Sequence, residues 1–545
     1  MSSHYTSSHA LFDVLRRAGV DRVFLVPGES YLGLLDALVD FKEIETITCR
    51  HEGGAGFMAV ADARLTKCPG VVMVSRGPGA SNAAIAIHTA QQDAVPLILL
   101  VGQIAEKDLR REAFQEIDYQ QMFGSIAKWV FECRHPDQLG QVAAKAVRVA
   151  TSGVPGPVVI VIPEDIQQQQ VERIAASPKP QIAGIPDHAV MQEITQSINA
   201  AKRPLIMAGG AYDCPGGREA LRAFAERFEL PVILSFRRHD VFANNHPLFV
   251  GTMGLANPKA QMDLLEQCDF LLAIGTRMGD ITTQNYVFPN YGQARQKLLH
   301  CYADSRLIGW DTAADFPLVA DPVSFAREMT LLDPVFTNRD SSWFKALKDF
   351  NNNYVTWPQS REFDDGVDFT QVVRAIVERT RDDAAICLDA GTFAAPVYRY
   401  APFVHERRLM APLAGAMGYG TPAALAYALR EPQRQIVCMV GDGGMLMTGQ
   451  EMILAVERNL PILFVVSCNG TYGSIRLHQE AHYPGRVSGT SLHNPDFVEF
   501  AKSFGMQAAH VTSIEKAQTI LDEMLPLKGP LLIQVKSSLK AILPQ

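Results

Sequence analysis

Gln435-Ile-Val-Cys-Met-Val-Gly-Asp-Gly-Gly-Met-Leu-Met-Thr-Gly-Gln-Glu451, continuing to Ser467-Cys-Asn-Gly-Thr-Tyr-Gly473, is the stretch that decides the fold. Gln435 to Val440 is a short apolar run stopped by glycines, and Ile462 to Val466 is a second one, rich in Val and Ile, behind Pro461. Between them the spacing predicts a helix over Thr448 to Asn459, with Met452, Ile453, Ala455 and Val456 on its apolar side. Parallel strands joined by a helix form a right-handed unit, so Asp442 and Asn469 are expected at the C-terminal edge of neighbouring strands, where open α/β sheets bind ligands.

The chemistry expected at that edge is that of hard oxygen. The Asp442 carboxylate, the Asn469 amide oxygen and the backbone carbonyls of Asn469-Gly470-Thr471 suit Mg²⁺, which completes its octahedral shell with phosphate oxygens and water. Gly441, Gly443 and Gly444 let N–H groups approach an anion, and the following helix offers its N-terminus. A Mg²⁺-diphosphate is therefore the expected ligand. No Lys follows the glycines, which excludes a P-loop, and Gly441-Asp442-Gly443-Gly444 lacks the G-x-G-x-x-G spacing of a dinucleotide fold.

The chain of 545 residues is too long for one core. Three α/β domains of about 150 to 200 residues are the natural division. A formal charge of -8 without a basic block argues against nucleic acid or an acidic membrane surface as partner. The nine cysteines are odd in number and lack C-x-x-C spacing, which fits a reducing cytoplasm. The polar N-terminus lacks a secretory pattern, and no apolar run reaches the roughly eighteen residues of a membrane span, so a cytoplasmic enzyme is expected.

The fold class expected is α/β throughout, each domain a mainly parallel sheet flanked by helices. The N-terminal domain is placed at residues 1–170, with strands at Arg22 to Val26, Ile44 to Thr48, Gly70 to Ser75, Pro96 to Val101 and Pro157 to Ile162. Gln167 to Ile185 is expected as a linker. The central domain, at residues 186–335, has strands at Pro204 to Ala208, Pro231 to Leu234 and Phe270 to Ile274, with Gly209-Gly210 and Gly275-Thr276-Arg277 at strand ends where a nucleotide can bind. Such short glycine turns are more often simple turns. Asn338 to Gly366 is expected as a second linker. The C-terminal domain, at residues 366–545, has strands at Ala384 to Leu388, Gln435 to Val440, Ile462 to Val466 and Pro530 to Val535.

Gly441-Asp442-Gly443, then twenty-five residues, then Asn469, resembles the cofactor motif of thiamine diphosphate (ThDP) enzymes. Arg50-His51-Glu52-Gly53-Gly54-Ala55 resembles the family's segment that supplies the glutamate facing N1′ of the aminopyrimidine and promoting loss of the C2 proton, and Glu52 is its match. Val26-Pro27-Gly28, Arg76-Gly77-Pro78-Gly79-Ala80-Ser81-Asn82 and Ala113-Phe114-Gln115-Glu116 resemble stretches of acetolactate synthases in the same order. The resemblance implies that Gly28 contacts cofactor or substrate by its backbone, that Gln115 hydrogen-bonds the substrate and that Phe114 walls the site. Asp389-Ala390-Gly391-Thr392-Phe393 resembles a loop on the diphosphate, and Pro412 to Gly420 resembles the segment whose bulky side chain, here Met417 near Gly415, holds the cofactor bent. Asp442, Asn469 and Thr471 are the implied metal ligands, and Tyr472, Gly473, Ser474 and Ile475 extend the cofactor site.

Two departures are informative. Acetolactate synthases usually carry a Met-Val pair and then a Trp beyond the motif, whereas this chain has Ser474-Ile475 and His478. The loss of bulk admits a larger substrate, as in benzaldehyde lyases and benzoylformate decarboxylases. His478 is either an acid–base group or a polar wall. Where FAD-binding relatives tend to carry Gly-x-Arg-Phe-Asp-Asp-Arg, this chain has Gly275-Thr276-Arg277-Met278-Gly279-Asp280, so FAD is left open without support.

The resemblance implies a ThDP- and Mg²⁺-dependent decarboxylase and carboligase of 2-oxo acids, like acetolactate synthase. The alternatives are a lyase or decarboxylase of bulkier substrates and, less favoured, a ThDP-binding protein without turnover. Its partners would be 2-oxo acids or aldehydes, and a homodimer or dimer-based tetramer with shared active sites is implied.

Overall fold

The computed structural model describes residues 5–173, 178, 184–290, 292–293, 295–336, 338–404 and 406–543. Three six-stranded sheets carry the chain, and every neighbouring strand pair with a described register in them is parallel. They fall into two compact units: one holds residues 1–181, 360–395 and 410–545, the other residues 182–359 and 396–409.

In the first unit the N-terminal sheet comprises β1 (Arg22–Leu25), β2 (Glu45–Thr48), β3 (Gly70–Ser75), β4 (Leu97–Gln103), β5 (Trp129–Glu132) and β6 (Pro157–Pro163), in the order β2-β1-β3-β4-β6-β5. In the second unit the central sheet comprises β7 (Pro204–Ala208), β8 (Val232–Leu234), β9 (Phe249–Thr252), β10 (Phe270–Ile274), β12 (Lys297–Tyr302) and β14 (Phe316–Val319), ordered β14-β12-β10-β7-β8-β9. A small pair, β11 (Gly292–Gln293) and β13 (Thr312–Ala313), stands apart from it. The C-terminal sheet comprises β15 (Ala385–Leu388), β16 (Arg408–Met410), β17 (Ile436–Gly441), β18 (Ile462–Cys468), β19 (Gln507–Val511) and β20 (Leu531–Lys536), ordered β16-β15-β17-β18-β20-β19. Counting strands within each domain, the N- and C-terminal sheets share the order 2-1-3-4-6-5, while the central one runs 3-2-1-4-5-6.

The expected strands all form, and the sheets gain members that the apolar runs did not announce. β5 is half-buried along its length and β19 is largely open, so neither shows the continuous apolar run of a central strand. The expected helix over Thr448 to Asn459 is corrected: helix begins at Asp442 itself, runs to Thr448, tightens into a 3₁₀ turn at Gly449–Met452 and resumes over Ile453–Glu457. Gly441 keeps extended backbone, so the turn from strand to helix is made without an intervening loop.

The second linker is also corrected, because Ser341–Tyr354 is a helix. Asp340 caps it by accepting N–H bonds from Ser342 and Trp343, and Trp343, Leu347 and Asn351 form a buried stripe at every fourth residue. In the first linker Gln167 is buried and donates to Ser30 O and Ile162 O, which fastens the chain's exit from β6. Residues 174–177 and 179–183 of that linker lie outside the described residues.

The N- and C-terminal sheets are joined by a shared core through the helices Glu52–Thr66 and Gly420–Arg430. Phe57 meets Tyr419 edge to face, with centroids 5.5 Å apart. At the rim, Arg430 pairs with Asp21 at 2.6 Å and with Asp62, and Arg22 bridges Glu45 and Asp62. The helix Glu52–Thr66 also lies close against Arg76–Asp93, since a Cβ on Gly56 would fall 2.4 Å from that of Ala86. All nine cysteines are free thiols.

Candidate active site

At the C-terminal edge of β17 and β18, Asp442 is 2 % exposed and gathers four donors. Its Oδ2 accepts from the N–H groups of Asn469 (3.1 Å) and Gly470 (2.7 Å) and from Asn494 Nδ2 (2.9 Å), and its Oδ1 from the Gly443 N–H (3.0 Å). The parallel register that pairs Gly441 with Ser467 brings these turns together. Burial pushes the Asp442 carboxyl up from its ordinary value, and the N–H groups around it oppose that shift.

The donor set fits a hard divalent cation. It offers one buried carboxylate and the Asn469 amide oxygen, which accepts from the Thr471 N–H at 3.1 Å. Among the described residues no cluster of three or more His, Cys, Asp or Glu competes for a softer metal. The adjoining Cys468 thiol is pushed up to about 11, by burial first and then by the Asp442 charge, so it stays neutral at pH 7. Thr471 commits its hydroxyl to Thr490 O, which leaves its carbonyl as the candidate donor.

The glycines here serve close packing of the chain on itself. A Cβ on Gly443 would fall 2.5 Å from the Tyr472 ring, one on Gly444 2.3 Å from Asp389 Oδ2, and one on Gly391 2.5 Å from the Phe393 ring, which also lies 3.2 Å from a Cβ on Gly441. Ser474 Oγ accepts the Thr392 N–H at 3.0 Å, so the loop after β15 and the helix Gly473–His482 are tied together. Met417 is half-buried in a segment pinned on each side: Asp389 Oδ2 accepts the Gly418 N–H (2.9 Å), Thr448 donates to Gly418 O, and Asp93 accepts the N–H groups of Leu413 and Ala414. Gly415 and Gly418, at φ +65° and +84°, make the two left-handed turns that this segment needs.

At the matching edge of the N-terminal sheet, Glu52 is the first residue of its helix, just beyond β2. Its Oε2 accepts from Asn82 Nδ2 at 2.9 Å, and a Cβ on Gly79 would lie 3.2 Å from its Oε1. His51 caps the helix through Nδ1, which accepts the Gly53 N–H. Gly28, beyond β1, is glycine because a Cβ there would fall 2.5 Å from that of Ser75. Gln115 sits at φ +65° with its carbonyl accepting the Gly77 N–H, and Phe114 is 78 % exposed. Ile475 and His478 are exposed as well.

Four polar residues were not expected at these edges. Asn82 and Asp389 stand inside recognised motifs but carry no spacing signal of their own. Asn494 comes from a distant loop before Pro495 and is placed only by the fold. Glu451 is a single acid in an apolar stretch, and its carboxylate reaches the N-terminal domain.

In the central sheet the strand-end glycines close on each other. A Cβ on Gly209 would fall 2.1 Å from Gly275 O, and one on Gly210 2.6 Å from Arg238 Nε. These glycines are thus required by the close approach of the chain to itself.

Family models match all three domains: "Thiamine pyrophosphate enzyme, N-terminal TPP binding domain" over residues 5–122, the central domain over 191–329 and the C-terminal TPP binding domain over 389–535. The acetolactate synthase large subunit of Parasynechococcus marenigrum is 32 % identical over 96 % of this chain and 86 % of its own length. Isozyme 1 of the same subunit from Escherichia coli is 30 % identical over 98 % and 94 %. The thiamine diphosphate-dependent 4-hydroxybenzoylformate decarboxylase of Rhodococcus jostii RHA1 has the same fold, with a TM-score of 0.85 at 21 % identity over 98 % of this chain and 99 % of that one. The chain belongs to the thiamine pyrophosphate enzyme family, whose members make or break carbon–carbon bonds with this cofactor. Among the described residues no helix is long and apolar enough to cross a membrane.

Proposed function

We propose that this enzyme is a Mg²⁺-dependent decarboxylase and carboligase of 2-oxo acids, acting like an acetolactate synthase. The observation that carries the reading is the buried Asp442 carboxylate beside Asn469 at the edge of two neighbouring strands. Asp442, the Asn469 amide oxygen and the Thr471 carbonyl would hold Mg²⁺, with N–H groups at Gly443 and Gly444 beside the diphosphate. When bound, ThDP supplies a nucleophilic carbon and an electron sink for the charge left by CO₂.

The protein's part is to bind, orient and move one proton. Glu52, oriented by Asn82, is the group that holds a proton at the pyrimidine ring. Met417, anchored through Gly418 and flanked by the Gly415 turn, would pack against the cofactor and help to orient it. Gln115 and the Gly28 backbone face the substrate. The division of labour follows the three domains, at residues 1–170, 186–335 and 366–545, and a homodimer or dimer-based tetramer in the cytoplasm completes the site. Exposed apolar side chains at Leu446, Met447 and Ile475, next to the cofactor residues, support such a cover by a second chain. Relatives at 30 % identity or more that span nearly the whole chain are acetolactate synthase large subunits, which favours that reading over one for bulkier substrates.

Product analysis tests this. Purified protein with Mg²⁺ and ThDP is offered pyruvate, 2-oxobutyrate, benzoylformate and benzoin, with and without FAD. Acetolactate from pyruvate is expected; benzaldehyde from benzoylformate or benzoin, with no product from pyruvate, would overturn the assignment.

A further inference from the structure

We propose that Glu451 is a positioning residue for Glu52: from the C-terminal domain it holds the backbone N–H groups that open the helix on which Glu52 stands. Glu451 is 1 % exposed on the 3₁₀ turn Gly449–Met452. Its Oε1 accepts the N–H groups of Arg50 (3.0 Å) and His51 (2.9 Å), and its Oε2 that of Arg50 (3.1 Å). These are the two residues before Glu52.

A second feature fits the same contact. A Cβ on Gly54 would fall 2.8 Å from Glu451 Oε1 and 2.9 Å from its Cγ, so Gly54 leaves the space through which the carboxylate arrives. The first turn of the helix is thus fixed from three directions: Glu451 on the main chain, the His51 cap on Gly53 and Asn82 on the Glu52 side chain. When ionised, the Glu451 and Glu52 carboxylates both make charge-assisted bonds, the Glu451 one to two N–H groups at once.

Burial pushes the Glu451 carboxyl up to about 7, against the opposing pull of the Arg50 and His51 N–H groups and the Arg50 charge. Cys49, on the same turn, is a neutral thiol raised by burial and then by Glu451. Of the elements packed on the Glu451 turn, the helix Gly420–Arg430 carries Tyr427 and Arg430, the latter paired with Asp21 and Asp62. The helix Asp442–Thr448 carries Asp442, held by its own N–H donors, and Ile453–Glu457 carries Glu457, paired with Arg458. Because burial raises the folded-state value, the closed arrangement favours the protonated carboxyl, and ionisation as pH rises towards 7 loosens the hold on Arg50 and His51.

The inference rests on the proposed proton-relay role of Glu52, and its test separates the two. Amide hydrogen exchange of residues 49–54 is followed in the cofactor-free protein from pH 6 to 8, corrected for intrinsic exchange, in wild type, Glu451→Gln, Glu451→Ala and Gly54→Ala. Protection at Arg50 and His51 should fall about tenfold in Glu451→Ala and Gly54→Ala. In wild type it should fall as pH rises from 6 towards 7 and level off above, and it should stay flat in Glu451→Gln. With Mg²⁺ and ThDP bound, C2 proton exchange should slow about tenfold in Glu451→Gln, while ThDP affinity changes less than about threefold. Wild-type protection and pH profile in Glu451→Gln would overturn the inference. Full C2 exchange in Glu52→Gln would instead overturn the relay reading, with the protection data still testing the clamp. If Glu451→Ala does not fold, Glu451→Gln and Gly54→Ala carry the test.

Discussion

The N- and C-terminal domains share one strand order and present different chemistry at the same edge. Beyond β1, β2 and β3 stand Gly28, Glu52 and, on the next helix, Asn82; beyond β15, β17 and β18 stand Asp389, Asp442 and Asn469. The difference lies in what meets each carboxylate. Asp442 is enclosed by N–H donors and lies 2 % exposed, which suits a fixed charge facing a cation, whereas Glu52 is partly open and touches one side-chain amide, which suits a group that exchanges a proton. The fold thus supplies two copies of one ledge, and a few side chains assign one to anchoring and the other to acid–base work.

Substitutions test that division, beginning with the largest effect. Asp442→Ala removes the carboxylate at the cation site and should weaken ThDP binding in Mg²⁺ by about a hundredfold or more, read by calorimetric titration. Glu52→Gln should bind Mg²⁺-ThDP nearly as well as wild type but slow C2 proton exchange by about 10²- to 10⁴-fold.

The join between the domains is next. Glu451 has a folded-state value raised from 4.5 to about 7, so its contribution to stability is full below about 4.5 and is lost as pH rises through 7. Denaturation midpoints of Glu451→Gln should therefore gain on wild type between those limits, by on the order of 2–3 kcal/mol. Gly56→Ala places a Cβ 2.4 Å from that of Ala86 and should cost about 1–3 kcal/mol by forcing apart the helices that carry Glu52 and Asn82. The smallest change is expected from His478→Ala. Its ring is exposed and packs beside His482, so turnover should move by less than about threefold.

Much of this was legible in the chain itself. Continuous runs such as Gly70 to Ser75 and Ile462 to Val466 declare buried parallel strands, and Asp442 and Asn469 follow such runs directly. The edge strands were not legible, because β19 alternates burial irregularly and β5 is half-open. The helix Ser341–Tyr354 was masked by its three asparagines, although Trp343 and Leu347 keep a helical stripe. Asn494 and Glu451 act on residues 52 and about 400 positions away, and no local pattern reports such a contact. The shared strand order of the outer domains was hidden for the same reason: pairing order is set by packing between distant segments.

The most direct test takes Asp442→Ala and Glu52→Gln through both assays on the same preparations, ThDP binding with Mg²⁺ and C2 proton exchange. Asp442→Ala is expected to fail to bind, and Glu52→Gln is expected to bind yet exchange slowly. Glu52→Gln exchanging at the wild-type rate, or Asp442→Ala retaining Mg²⁺-ThDP, would contradict the assignment of the two edges.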